Sequence, residues 1–120
     1  MPADHDPQLL KGVLTLLLLR LLAEQESYGY EVVQRLREAG LSGISEGTVY
    51  PALARLEREG RISSRLVASS SGPARKYYRP TPAGRAALTS GTASWRALTE
   101  LVNTVLAGPT PSTPTEGTPR

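Results

Sequence analysis

The chain has 120 residues, enough for one domain and too few to give a second its own core. It has no cysteine, and its single histidine, His5, stands between Asp4 and Asp6 near the N-terminus. Disulfides, thiolate chemistry, Cys-ligated metals and imidazole triads are therefore excluded, and neither a catalytic site nor a cofactor is expected. The formal charge of +3 hides a separation: residues 55–85 carry eight basic against two acidic side chains, a local +6, and the remainder sums to −3. Such a basic block suits contact with nucleic acid or another anionic surface.

In chain order, residues 1–8 hold two prolines and read as a disordered lead, with the folded unit following over 9–107. The leucine run at 9–22 spans only 14 residues and includes Lys11 and Arg20, short of a membrane span, so a cytoplasmic protein with no membrane contact is expected. At 100° per residue, Leu10, Leu14, Leu17, Leu18, Leu21 and Leu22 form one broad face of a first helix. Val13, Leu16 and Leu19 point the other way, so that side needs separate cover, for which a second subunit is the natural candidate.

A second helix is predicted from an N-cap at Ser27 to Ala39, ending at Gly40. Its Val32, Val33, Leu36 and Ala39 face inward and Tyr30 faces out. A Gly/Ser-rich turn leads to GTVYPALARLEREG at 47–60, where Val49, Leu53 and Leu56 make the buried stripe of a third helix. Thr48, Pro51, Arg55 and Arg58 fall on its opposite face. Its start is expected near 46–48: with Thr48 as cap, Pro51 falls in the first turn, and with Ser45 as cap it removes one backbone bond.

RISSRLVA (61–68) and ARKYYRP (74–80) alternate like strands around the turn signal SSSGP, giving a basic hairpin. Tyr77 and Tyr78 point to opposite faces, one expected in the core and one at the surface. Pro80 cannot donate to a ladder, so the second strand should end there or lie at an edge. Thr81-Pro82 is a cap followed by proline, opening a last helix to about Ala107. One face of it carries Gly84, Leu88, Gly91, Trp95, Leu98, Val102 and Val105. Residues 108–120, rich in Pro and Thr and without a large apolar residue, read as a disordered tail.

Helix, helix, turn, helix, hairpin and long helix describe a winged helix-turn-helix: mainly α with a small β-hairpin, closed by a long C-terminal helix. In that architecture the third helix enters the DNA major groove, where Arg55 and Arg58 offer planar donor forks for guanine. Thr48 and Tyr50 lie nearer its start, within reach of phosphates or base edges, and Tyr30 can touch phosphate. Arg75 and Lys76 would grip backbone phosphate beside the groove.

YGYEVVQRL (28–36), GTVYPALARLEREG (47–60), GPARKYY (72–78) and TPAG (81–84) together resemble the PadR-type transcriptional regulators over residues 9–107. Leu9-Leu10-Lys11-Gly12 opening the first helix and Trp95 in the last fit the same pattern. The resemblance implies a winged helix-turn-helix DNA-binding domain at 9–81 and a dimerisation helix at 82–107. It also implies a homodimeric repressor on a palindromic double-stranded operator, released by a small apolar or aromatic effector. Thr48, Tyr50, Pro51 and Arg55 match its recognition helix, and Arg75 and Lys76 its wing. Leu16, Leu19, Leu88, Trp95, Leu98 and Val102 are the candidates for the dimer interface and effector contact. A winged-helix protein–protein module without DNA is the alternative; its outer helix face should lack arginine.

Overall fold

The structure, a computed structural model, describes residues 5–109. Residues 1–4 and 110–120, half of the expected lead and most of the expected tail, lie outside the described residues. The chain divides into two compact units, one through Thr89 and one from Ser90 onward.

Helix α1 (Pro7–Glu24) begins two residues earlier than the leucine run suggests. Asp6 is its N-cap, accepting a bond from the Gln8 amide at 2.8 Å, and Pro7 fills the first helical position, where no N–H is needed. Next comes an element that the sequence reading missed. Ser27 does not cap a helix; Ser27–Tyr28 form a short strand, β1, and helix α2 (Gly29–Glu38) starts only behind it. The cause is non-local, because β1 exists by pairing antiparallel with a strand fifty residues further on. Ser27 is fully buried, its hydroxyl accepting from Arg35 Nη1 at 2.9 Å and donating to the Gln25 carbonyl at 3.1 Å.

Helix α3 (Glu46–Arg58) is capped at Ser45, not Thr48. Thr48 lies in the first turn, its hydroxyl 3.1 Å from that of Ser45. Pro51 is therefore inside the helix and takes one rung out of its ladder. Helices α2 and α3 end alike. Gly40 and Gly60 adopt φ of +131° and +76°, and the following amides of Leu41 and Arg61 reach back to Leu36 O and Leu56 O at 3.0 and 2.9 Å. This six-to-one closure satisfies carbonyls that the helix end would orphan. It also leaves Ala39 at the surface instead of facing inward.

Strands β2 (Ile62–Ser69) and β3 (Gly72–Pro80) form the hairpin, joined through Ser70 and Ser71, with a register irregularity between Val67 and Ser69. The sheet order is β1-β3-β2, so β3 is central, and it stops at Pro80 as the missing donor requires. Helix α4 (Pro82–Ala107) follows, and Thr81 caps it by accepting from the Gly84 amide at 3.1 Å. The same hydroxyl donates to Gly60 O at 2.6 Å.

The core of the first unit is one cluster. Leu14, Leu18, Leu19 and Leu22 of α1 pack with Val32, Val33 and Leu36 of α2, Ile44 of the turn, Val49, Leu53 and Leu56 of α3, and Ile62 of β2. Burying each such side chain stabilises by about 1.5–3 kcal/mol, which fixes α3 with its apolar stripe inward. Its opposite face is then committed to solvent. In the second unit Trp95, Leu98, Leu101, Val102, Val105 and Leu106 are all exposed, which leaves an apolar strip along the helix.

Candidate nucleic-acid interface

Burial of Val49, Leu53 and Leu56 turns Thr48, Tyr50, Pro51, Arg55 and Arg58 outward, all of them exposed. Among the described residues neither Arg55 nor Arg58 has a carboxylate within 4.0 Å, because the two neighbouring acids are engaged elsewhere. Glu59 lies 4.0 Å from Arg61, and Glu57 is held by the hairpin. Two guanidinium groups one helical turn apart thus project into solvent with their donors free. That is the arrangement that bidentate recognition of a base edge or a phosphate requires.

On one flank of this face, Tyr50 and Glu57 lie seven residues apart and therefore in line along α3. Both meet the wing. Glu57 Oε2 accepts from Ser64 Oγ at 2.6 Å, and its Oε1 pairs with Lys76 Nζ at 3.0 Å. The Ser64 hydroxyl, and then Lys76, hold this carboxyl below the usual glutamate range, and the bond to Glu57 raises Lys76 in turn. Lys76 Nζ also stands 5.5 Å over the Tyr78 ring.

The other face of the sheet is tied down separately. Glu26 takes two bonds from Arg65, both 2.8 Å, and that fork lowers its pKa. Arg75 lies 4.4 Å over the Tyr28 ring, and Tyr28 meets Tyr77 edge-on at 5.3 Å. Tyr77 and Tyr78 do not divide into core and surface; both are half-buried, because each face of the thin sheet carries a cation–aromatic layer.

Between the start of α2, α3 and β3 lies a shallow recess of about 220 Å³ lined by Tyr28, Gly29, Tyr30, Tyr50, Arg75, Lys76 and Tyr78. Gly29 makes it possible: a Cβ there would fall 2.3 Å from Tyr50 Cε1. The Tyr50 ring lies against the first turn of α2, and its hydroxyl pKa is raised by burial and by Glu46. The structure thus gathers Tyr30, Tyr50, Arg75 and Lys76 around one depression beside the exposed arginines. A second, larger groove of about 620 Å³ runs on the other flank of α3, where Thr48, Pro51 and Arg55 line it together with Leu10, Leu14 and Ile44.

The residues expected at a dimer or effector surface separate. Leu19 is 3% exposed and belongs to the core, since α1 is covered on its second side by the start of α4: the Gly84 Cα stands where a Cβ would be 3.3 Å from Leu19 Cδ2. Leu16 and Leu88 are half-buried, and Leu88 packs on the same core. Trp95, Leu98 and Val102 are exposed at 46%, 52% and 41%. Sequence reasoning missed Glu57, Ser64, Glu26 and Arg65. Only the in-line spacing of Tyr50 and Glu57 hinted at any of them.

No helix among the described residues is long and apolar enough to cross a membrane, and no group of three potential metal ligands occurs among them. The profile of the PadR-like transcriptional regulator family matches residues 18–90. The transcriptional regulator Rv3488 of Mycobacterium tuberculosis is 43% identical over 100 residues, covering 82% of this chain and 87% of its own. The crystal structure of a PadR-like transcriptional regulator from Bacillus cereus superposes with a TM-score of 0.75 at 41% identity, over 85% of this chain and 99% of the other. A PadR family regulator from Eggerthella lenta gives a TM-score of 0.78 at 34% identity, over 85% and 88%. The fold is that of these winged-helix relatives, and the proteins that share it are regulators of transcription, not enzymes. This chain, with its arginine-bearing third helix and basic wing, belongs to the PadR-like family of transcriptional regulators.

Proposed function

We propose that the protein is a homodimeric repressor, acting in the cytoplasm, that binds a palindromic double-stranded operator and is released by a small apolar or aromatic effector. One observation carries the DNA contact: Arg55 and Arg58 stand exposed and without an acidic partner among the described residues, on the helix face that core packing turns outward. Entered into a major groove about 12 Å wide, that face offers Arg55 and Arg58 to base edges and Thr48 and Tyr50 to phosphate. The recess with Tyr30, Tyr50 and Arg75 receives the flanking backbone, with Lys76 at its edge held by Glu57. A protein–protein module would have no need of unpaired arginines there.

The exposed strip of Trp95, Leu98 and Val102, continued by Val105, supports dimerisation through α4, because an apolar strip of this length is covered in water by association. Trp95 then lines the subunit boundary, where an aromatic effector has a ring to stack on. Selection of genomic fragments with the purified protein tests the reading. Enriched fragments should share an inverted repeat whose half-sites lie one helical turn, about 34 Å, apart or a multiple of it. Failure to enrich any fragment overturns it.

A further inference from the structure

We propose that Glu57 is a positioning residue that sets how strongly the protein prefers its operator to other DNA. The inference rests on the DNA-binding reading above and extends it to a residue that touches no base. Glu57 lies on α3, beside the face that carries Arg55 and Arg58, yet its carboxylate is bound to both strands of the wing. Ser64 of β2 donates to one oxygen at 2.6 Å, and Lys76 of β3 pairs with the other at 3.0 Å. In the register of the hairpin Ser64 faces Tyr78 and Leu66 faces Lys76, so both partners leave the same side of the sheet. One side chain therefore links the recognition helix to the two wing strands. It is only partly exposed, at 31%, and its two bonds set the separation between helix and wing.

An acid at this place works against DNA binding in general. It repels phosphate, and it withholds from phosphate the ammonium group of Lys76. What it provides is geometry. With helix and wing held at one spacing, groove contacts and backbone contacts form together only on a duplex whose shape matches both. Without the tether, Lys76 meets whatever phosphate is nearest, and the helix need not be seated in its groove. Specificity is a difference between two affinities, and Glu57 lowers the non-specific one more than the specific one.

Glu57→Gln removes the charge while keeping an oxygen for Ser64. Affinity is measured by anisotropy on an operator fragment recovered from the genomic selection and on a scrambled duplex of equal length, across a salt series. Relative to wild type, the scrambled duplex should bind about fivefold more tightly, with a salt slope steeper by about one for the freed Lys76. The ratio of operator to scrambled affinity should fall by about tenfold. In a Lys76→Gln background the same change should alter the ratio much less, because the pair is already broken. A merely structural role would lower the active fraction, and with it both affinities, leaving the ratio intact. An unchanged ratio, or an equal fall in both backgrounds, overturns the proposal while the DNA-binding reading stands. Wild-type protein that enriches no fragment overturns both.

Discussion

Gly84→Ala and Gly12→Ala make the same chemical change in two helices and should move stability in opposite directions. Helix propensity alone favours Ala over Gly by about 1 kcal/mol at either site. At Gly12, in α1, an added Cβ meets nothing within 4 Å, so the propensity gain stands. At Gly84, in the first turn of α4, it would lie 1.9 Å from the Arg61 carbonyl oxygen, which is backbone and has little room to move. That carbonyl accepts the Thr81 amide at 3.0 Å, and Thr81 in turn caps α4 and holds Gly60 O. A retreat of more than an ångström is needed, which breaks the Thr81 amide bond. Overpacking costs about 1–3 kcal/mol and the lost bond about 1 kcal/mol, against about 1 kcal/mol gained from propensity. The net is a destabilisation of about 2 kcal/mol, or a fall in Tm of roughly 8–16 °C for a domain of this size. Thermal melts followed by circular dichroism, at fixed protein concentration, decide it. A Gly84→Ala variant as stable as wild type refutes the packing argument; a Gly12→Ala variant that loses stability refutes the propensity argument.

Arg55→Ala should weaken operator binding by about 1–3 kcal/mol and relax base preference at one position of each half-site, read by competition with single-base operator variants. Uniform weakening on all duplexes would place Arg55 on phosphate instead. Arg75→Ala should reduce the slope of log affinity against log salt by about one on every duplex, and a slope equal to wild type would remove Arg75 from the backbone contacts. Trp95→Ala should shift the oligomeric state toward monomer in sedimentation at micromolar concentration; an intact dimer would move the subunit interface away from Trp95. The depressed carboxyls of Glu26 and Glu57 make stability pH-dependent with a definite sign. Both groups bind protons more readily unfolded than folded, so their contribution is complete above the ordinary glutamate value of 4.5 and declines as pH falls through and below it. Glu26→Gln with Glu57→Gln should flatten the melting temperature between pH 6 and pH 3, and an identical slope would mean that the two pairs add nothing to folding.

What could be read in advance was what the chain specifies locally. Gly40 ends a helix, Thr81-Pro82 begins one, Pro80 stops a strand, and the Val49, Leu53 and Leu56 stripe aims Arg55 and Arg58 at solvent; each signal lies within a few residues of its effect. What was missed depends on partners distant in sequence. Ser27 has the chemistry of a cap, and only the presence of β3 makes it a strand. Leu19 sits on the less apolar-looking side of α1, and the approach of α4 through side-chain-free Gly84 buries it. The start of α3 is not among these: composition leaves Ser45 and Thr48 both open as its cap with a start near 46–48, and the local bonds from the Thr48 and Val49 amides to Ser45 O place it at Glu46. Glu57 and Glu59 are the two acids nearest Arg55 and Arg58 in the sequence, and nothing local tells which partner Glu57 takes. Its partners, seven and nineteen positions away, become visible only once the hairpin folds back on the helix.

The short strand β1 has a mechanical consequence. It pairs with β3 only at Tyr77 and Tyr78, so the hairpin is fastened on both sides at its base and on one side beyond. The wing is a cantilever: clamped at residues 77–80, propped midway where Lys76 meets Glu57, and unsupported toward Ser70 and Ser71, where the register slips. Amide exchange should therefore slow from tip to root along β3. A stiff root with a compliant tip lets the last few residues follow the local width of a groove while the orientation of the hairpin against the helices stays set.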